Sequence, residues 1–287
     1  SGGRGERGRC RGGRRRGGRR GSVPARRLRA VLPGPTRASP MVERKRLLDR
    51  RGWVMIVSGF VEPLVYLLGI GFGVGSLVGS ALTLNGHPVK YAVFVAPALM
   101  ASSAMNGAVY ETSFNFFFKL RYIKLYDAIL STPLGVVDIA LGEVAWALIR
   151  GTLYAIGFIV VMVALGLAPS PWTILALPAA MLISFSFGAA GAALTTFLRT
   201  WQDIELILIV LIPLFLFSAT FYPLELYPGP LQVIVELTPL YHGVDLLRSL
   251  TTGSLGPGLL LDVAYLLTLG LGGLWVASIR LNLLLLK

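Results

Sequence analysis

Glu62, Glu143 and Arg150 stand inside long apolar stretches of this chain. Glu62 lies near the middle of one such stretch and is followed by Pro63, which removes a helix hydrogen bond and permits a kink. Glu143 and Arg150 lie seven residues apart in another, two helical turns along one face. Charges at the centre of a bilayer cost about 2.5–3.5 kcal/mol on insertion scales, so they mark an interface or a pathway. Glu62 reads either as a protonatable, substrate-facing group or as a carboxyl tied to a neighbouring helix. Glu143 and Arg150 read as an ion pair made through an intermediate group, or as a transport site. Hydrolytic chemistry has little footing. His242, Asp245 and Ser249 crowd one short helix and offer no strained elbow, and neither Gly-x-Ser-x-Gly nor His-Glu-x-x-His occurs. None of the five lysines follows a glycine, so there is no Gly-Lys-Ser/Thr phosphate loop. The single cysteine, Cys10, permits no intrachain disulfide, and with two histidines, His87 and His242, no metal site is expected.

The elements that must position these groups follow from composition. Of 287 residues, 54% are hydrophobic and 14% charged, where a soluble domain is about a quarter charged, and the mean hydropathy is +0.70. The net charge of +13 suggests a nucleic-acid binder until it is divided. Residues 1–40 hold 13 Arg and one Glu, whereas the rest of the chain is close to neutral. The Arg/Gly-rich segment 1–40 has almost no large apolar residue before Val31 and is expected to be disordered, although such a segment can bind RNA or an anionic membrane surface. Composition changes abruptly at Met41, the candidate biological start, so residues 41–287 are read as the working domain. No nucleic-acid partner is expected.

About 20 apolar residues cross a bilayer, and six segments qualify: 53–74, 91–113, 139–165, 172–197, 204–222 and 258–280. Arg44, Lys45, Arg46, Arg50, Arg51, Lys119, Arg121, Lys124, Arg199 and Lys287 fall on one side of these spans, against Lys90 and Arg248 on the other. The positive-inside rule therefore predicts both termini in the cytoplasm. The class predicted is an all-α membrane protein with six transmembrane helices. Residues 42–51 read as an amphipathic interfacial helix, with Leu47 and Leu48 among basic residues. The connection 114–138 interleaves aromatic and basic residues. A short helix over 122–131, ended by Ser-Thr-Pro, would present Tyr122, Tyr126, Ile129 and Leu130 to a cytoplasmic partner, or its aromatics would anchor a hairpin at the interface. In 223–257, prolines break the helix into pieces too short to span, which suggests two short helices dipping into the outer leaflet. Gly69, Gly71, Gly73 and Gly75 would let a partner helix approach the first span, or let its outer end unwind.

Three stretches carry a resemblance. Glu62-Pro63-Leu64-x-Tyr66-Leu67 with Gly69-x-Gly71-x-Gly73, then Phe221-Tyr222-Pro223-Leu224-Glu225, then Pro239-Leu240-Tyr241-His242 followed by Arg248, resemble the membrane subunit of type-2 ABC exporters, in the lipo-oligosaccharide (nodulation-factor) and drug-export branches. The resemblance covers Met41 to Lys287 and none of the Arg-rich segment. It implies a permease of the bacterial-type cell (inner) membrane that exports an amphiphilic substrate: a lipid-linked saccharide, a glycolipid or a hydrophobic drug. It also implies a second permease subunit, as homodimer or heterodimer, and a separate ATP-binding cassette ATPase that holds the ATP and Mg, with no cofactor in this chain. Arg121, Tyr122, Ile123, Lys124, Leu125, Tyr126, Asp127, Ile129 and Leu130 would then form the coupling helix against that ATPase. Glu62, Pro63, Tyr66, Gly69, Gly71 and Gly73 would lie on the transport path or a helix interface. Pro223, Glu225, Pro239, His242 and Arg248 would belong to outer re-entrant helices. The alternative is a secondary transporter or channel with an ion relay through Glu62, Glu143 and Arg150.

Overall fold

The computed structural model describes residues 61, 64–78, 83–84 and 87–285. Glu62, Pro63, the Arg-rich segment, the 42–51 helix and most of the first expected span lie outside the described residues. Helix α1 covers 64–78, with Leu67–Val74 wound as π-helix. A two-residue strand pair, Thr83–Leu84 against His87–Pro88, precedes α2. Among the described residues four helices are long and apolar enough to cross a membrane: α2 (Tyr91–Tyr122), α4 (Val136–Ala164), α5 (Pro171–Thr195) and α9 (Gly258–Leu285). Between them run α3 (Leu125–Leu130), α6 (Asp203–Leu216), α7 (Gly229–Glu236) and α8 (Pro239–Thr252).

Local chemistry explains most of the boundaries. Lys124 takes a left-handed conformation (φ 50°), which separates α2 from α3. At the start of α4 the Asp138 carboxylate accepts the Gly135 N–H at 2.9 Å. Ser170 caps α5 by accepting the Trp172 N–H, with Pro171 in the first turn. Asp203 accepts the N–H groups of Arg199 and Thr200 at 2.7 and 2.9 Å, and these donors hold its carboxyl below the ordinary carboxylate range. Gly253, at φ 85°, closes α8. Two π-helical turns, Glu111–Asn115 and Phe118–Tyr122, extend α2 well past the expected end at 113. Each π turn widens the helix and rotates the following side chains around its axis.

The expected span 204–222 ends as helix at Leu216. Pro213 lies in the last turn, Phe217 leaves the helical region and Ala219 has φ 52°. Fourteen residues rise about 21 Å, against the about 30 Å of a hydrocarbon core.

Helix α2 is the centre of the packing. Of its most apolar stretch 89% is buried, against 56% in α5, 33% in α4 and 17% in α9. Phe94, Leu99, Met100 and Met105 of α2 pack with Phe158 and Met162 of α4, Ile183 of α5 and Leu240 of α8. The outer faces are apolar too: Leu260 and Trp275 on α9, Ile209 and Val210 on α6, and Val160 on α4 are exposed, as suits contact with lipid. The most extensive pairing is α5 with α9, where Ser186 Oγ donates to the Leu266 carbonyl at 2.7 Å.

Candidate functional site

A groove of about 570 Å³ opens between α1, α2, α4 and α6. Its two walls differ in chemistry. Ser102, Ser103 and Asn106 of α2, with Arg150 and Tyr154 of α4, make one wall polar, while Leu208, Leu211, Ile212 and Phe215 make the α6 wall apolar. The residues of α2 set closest to α4 are small, Gly107 meeting Tyr154 and the Ala104 carbonyl facing Gly151, so the two helices approach closely behind the polar wall. Tyr66, expected on the transport path, lines the groove from α1. Of the four α1 glycines, Gly71 and Gly75 face α2: a Cβ at Gly71 would meet Leu67 at 3.2 Å and Ala92 of α2 at 3.5 Å, and one at Gly75 would meet Tyr91 of α2 at 3.5 Å. Gly69 and Gly73 have open space around them.

The charges at the groove pair differently from the expectation. Arg150 donates through Nη1 to Glu111 Oε2 at 2.5 Å and through Nε to the Tyr154 hydroxyl at 2.8 Å. Asn115 Nδ2 donates to the same Glu111 oxygen at 2.6 Å. Glu143 pairs instead with Lys119, whose Nζ lies 2.6 and 2.5 Å from its two oxygens, and accepts the Tyr126 hydroxyl at 2.9 Å. Glu143 and Arg150 therefore form two separate clusters, because both point at α2, which supplies each with its own partner. Glu111, near the end of the expected span 91–113, is a partner that composition alone does not single out. Its signal is the spacing: Glu111 and Lys119 on one helix answer Arg150 and Glu143 on the other.

The expected coupling segment is present as a helix but shorter, and one of its faces is turned inward. Tyr126, expected to face a partner, is 1% exposed and stacks near Phe116, with ring centroids 5.5 Å apart, because its hydroxyl is drawn to Glu143. Ile129 and Leu130 pack partly against the same cluster. Tyr122 and Ile123 are 59% and 62% exposed, and Arg121, Lys124 and Asp127 are exposed beside them, while Leu125 is half-buried. Arg121 Nη2 donates to the Leu198 carbonyl at 3.0 Å and ties this segment to the α5–α6 connection.

At the other end, Pro223, Glu225 and Arg248 meet around a cavity of about 310 Å³ that also includes Tyr241 and Asp245. Arg248 is buried. It donates to the Ala219 carbonyl at 2.8 Å, and its guanidinium lies 3.8 Å from the Phe94 ring centroid, so it pins α8 to both α2 and the turn after α6. Pro239 opens α8 at its first turn. His242 turns away from that cavity and pairs with Asp262 of α9 at 2.7 Å, stacking on Tyr265 at 4.1 Å. The sequence pairing of His242 with Asp245 is thus replaced by an inter-helix contact that holds α8 on α9. No group of three or more potential metal ligands occurs among the described residues.

Comparison with known proteins adds a second line. A family model described as "ABC-2 type transporter" matches residues 39–251. The chain is similar to nodulation protein J of Rhizobium meliloti, at 31% identity over 200 residues, covering 69% of this chain and 74% of that protein. It is similar to nodulation protein J of Sinorhizobium fredii, at 32% identity over 213 residues, 74% of this chain and 79% of that one. Nodulation protein J of Rhizobium leguminosarum bv. trifolii is 32% identical over 199 residues, with 69% and 74% covered.

Proposed function

Because the chain belongs to the ABC-2 type transporter family, we propose that it is the membrane subunit of an ATP-binding cassette exporter that carries an amphiphilic substrate outward. A separate ATPase subunit supplies the energy. The observation that carries the substrate class is the two-walled groove: hydroxyls, an amide and a charge-balanced Arg150–Glu111 pair on one side, and leucine, isoleucine and phenylalanine on the other. A headgroup rich in hydroxyls suits the α2–α4 wall and an acyl chain suits α6. Similarity to proteins named for nodulation favours the lipo-oligosaccharide branch over drug efflux.

In this reading the expected segments 53–74 and 204–222 supply the two further crossings, the second made by α6 together with the non-helical residues that follow it, and both termini lie in the cytoplasm of an inner membrane. A second permease subunit closes the groove, and its approach is favoured by the exposed apolar residues Val65 on α1 and Ile212 on α6. The exposed residues Tyr122, Ile123 and Asp127 meet the ATPase, and α7 with α8 forms the outer gate. Closure of the ATPase dimer on ATP stabilises an outward-open arrangement, and the differing affinity of the two arrangements for nucleotide moves the equilibrium.

Affinity purification of the full chain from its native membrane, followed by mass spectrometry, tests the reading. The expected result is an ABC ATPase in the eluate whose hydrolysis rate rises on association. Proton-coupled flux through the chain alone, with no ATPase bound, would overturn it.

A further inference from the structure

We infer that Glu143 is the positioning residue through which movement of α3 is passed to the membrane helices. The inference rests on the reading of α3 as the ATPase-facing helix. One buried carboxylate holds three elements at once: Oε1 accepts the Tyr126 hydroxyl of α3 at 2.9 Å, both oxygens hold Lys119 Nζ of α2, and Glu143 itself is part of α4. All three side chains are buried. Helix α3 has only six residues and is joined to α2 through a left-handed Lys124 that breaks the helix between them, so side-chain contacts rather than a continuous helix fix α3 against α2. The carboxylate supplies one such joint, beside the ring contact of Tyr126 with Phe116. Displacement of α3 then moves α2 and α4 together, and these are the two helices that form the polar wall of the groove. Lys119 also lies in the second π turn of α2, which aims its ammonium at α4.

The experiment uses the full chain in nanodiscs with the ATPase that co-purifies with it. In a Cys10→Ser background, Ile212→Cys places a single thiol on the apolar wall, and its maleimide reactivity is compared without nucleotide and after trapping with ATP and vanadate. Tyr126→Phe removes one hydrogen bond and leaves the Lys119–Glu143 pair intact; Glu143→Gln removes the charge while keeping the shape. The expected result is that both variants bind the ATPase with wild-type affinity, that Tyr126→Phe melts close to the wild-type temperature, and that Glu143→Gln melts lower because the Lys119 ammonium is left without its carboxylate. The nucleotide-dependent change in reactivity falls about fivefold in Tyr126→Phe, the equilibrium factor one net hydrogen bond supports, and at least as far in Glu143→Gln. Restoration of the change by Glu143→Asp would support the positioning role. A wild-type change in both variants overturns the inference, as does a loss of ATPase binding and melting temperature in Tyr126→Phe in proportion to its loss of response. A wild-type chain that binds no ATPase refutes the export reading itself, and with it this inference.

Discussion

Replacing Gly273 with alanine should destabilise the protein by about 2 kcal/mol, while the same change one residue earlier should not. An ideal Cβ at Gly273 would lie 2.7 Å from the Ala190 nitrogen, 2.8 Å from the Ala189 carbonyl carbon and 3.0 Å from its oxygen. These are backbone atoms of α5, so no side chain can rotate away and the two helices must separate. Overpacking costs about 1–3 kcal/mol, and a clash with rigid backbone belongs at the upper end. Alanine regains about 1 kcal/mol over glycine within a helix, leaving about 2 kcal/mol of net destabilisation, roughly a thirtyfold fall in the folded-to-unfolded ratio. Gly272 has nothing within 4 Å of its would-be Cβ. Gly272→Ala should therefore stabilise by up to about 1 kcal/mol. Reversible unfolding in mixed dodecyl maltoside and SDS micelles, followed by tryptophan fluorescence, reads both. Equal stability of the two variants would refute the claim that α5–α9 packing depends on backbone approach at this point.

Lys119→Met leaves the Glu143 carboxylate buried beside Tyr126 alone and should cost about 3–5 kcal/mol in the same titration; Lys119→Met with Glu143→Met should recover most of that loss. Arg248→Lys loses the planar group that lies on Phe94 and reaches the Ala219 carbonyl. It should cost about 1–3 kcal/mol, with faster hydrogen exchange at residues 217–222 as the first sign. The Asp203 carboxyl has its folded-state pKa lowered by the Thr200 amide, then by the Arg199 amide and the Thr200 hydroxyl. Its contribution is thus complete above the unfolded value of about 3.9 and is lost as pH falls through the folded value. The protection of the amides at the first turn of α6, measured against their intrinsic exchange rates, should fall in acid in the wild type, and Asp203→Ala should remove that dependence.

The long helices were legible because hydropathy integrates over about 20 residues and tolerates local error. The break ahead of α8 was legible because Pro239 suits a first turn. Partner choice among the charges was not. The spacing of Glu143 and Arg150 correctly puts both on one face, but two turns span about 11 Å, so residues on that face meet the next helix before they meet each other. The identity of that helix is a tertiary fact. Tyr126 shows the same limit: an aromatic near an interface reads as outward-facing until a buried acceptor on another element is known. The π turns in α2 left no signature in composition, although they decide where Glu111 and Lys119 point.

The crossed arrangement of the two ion pairs also bears on how the chain assembles in lipid. There, apolar helices slide past one another at little cost, since hydrocarbon surrounds them in every register. Helix α2 offers an acid and then a base, and antiparallel α4 answers with a base and then an acid. A slip of two turns would set Glu111 against Glu143, or Lys119 against Arg150, and leave the other two charges without partners. Only one alignment of this hairpin pairs all four charges, so four side chains act as a vernier that specifies the native register of α2 against α4.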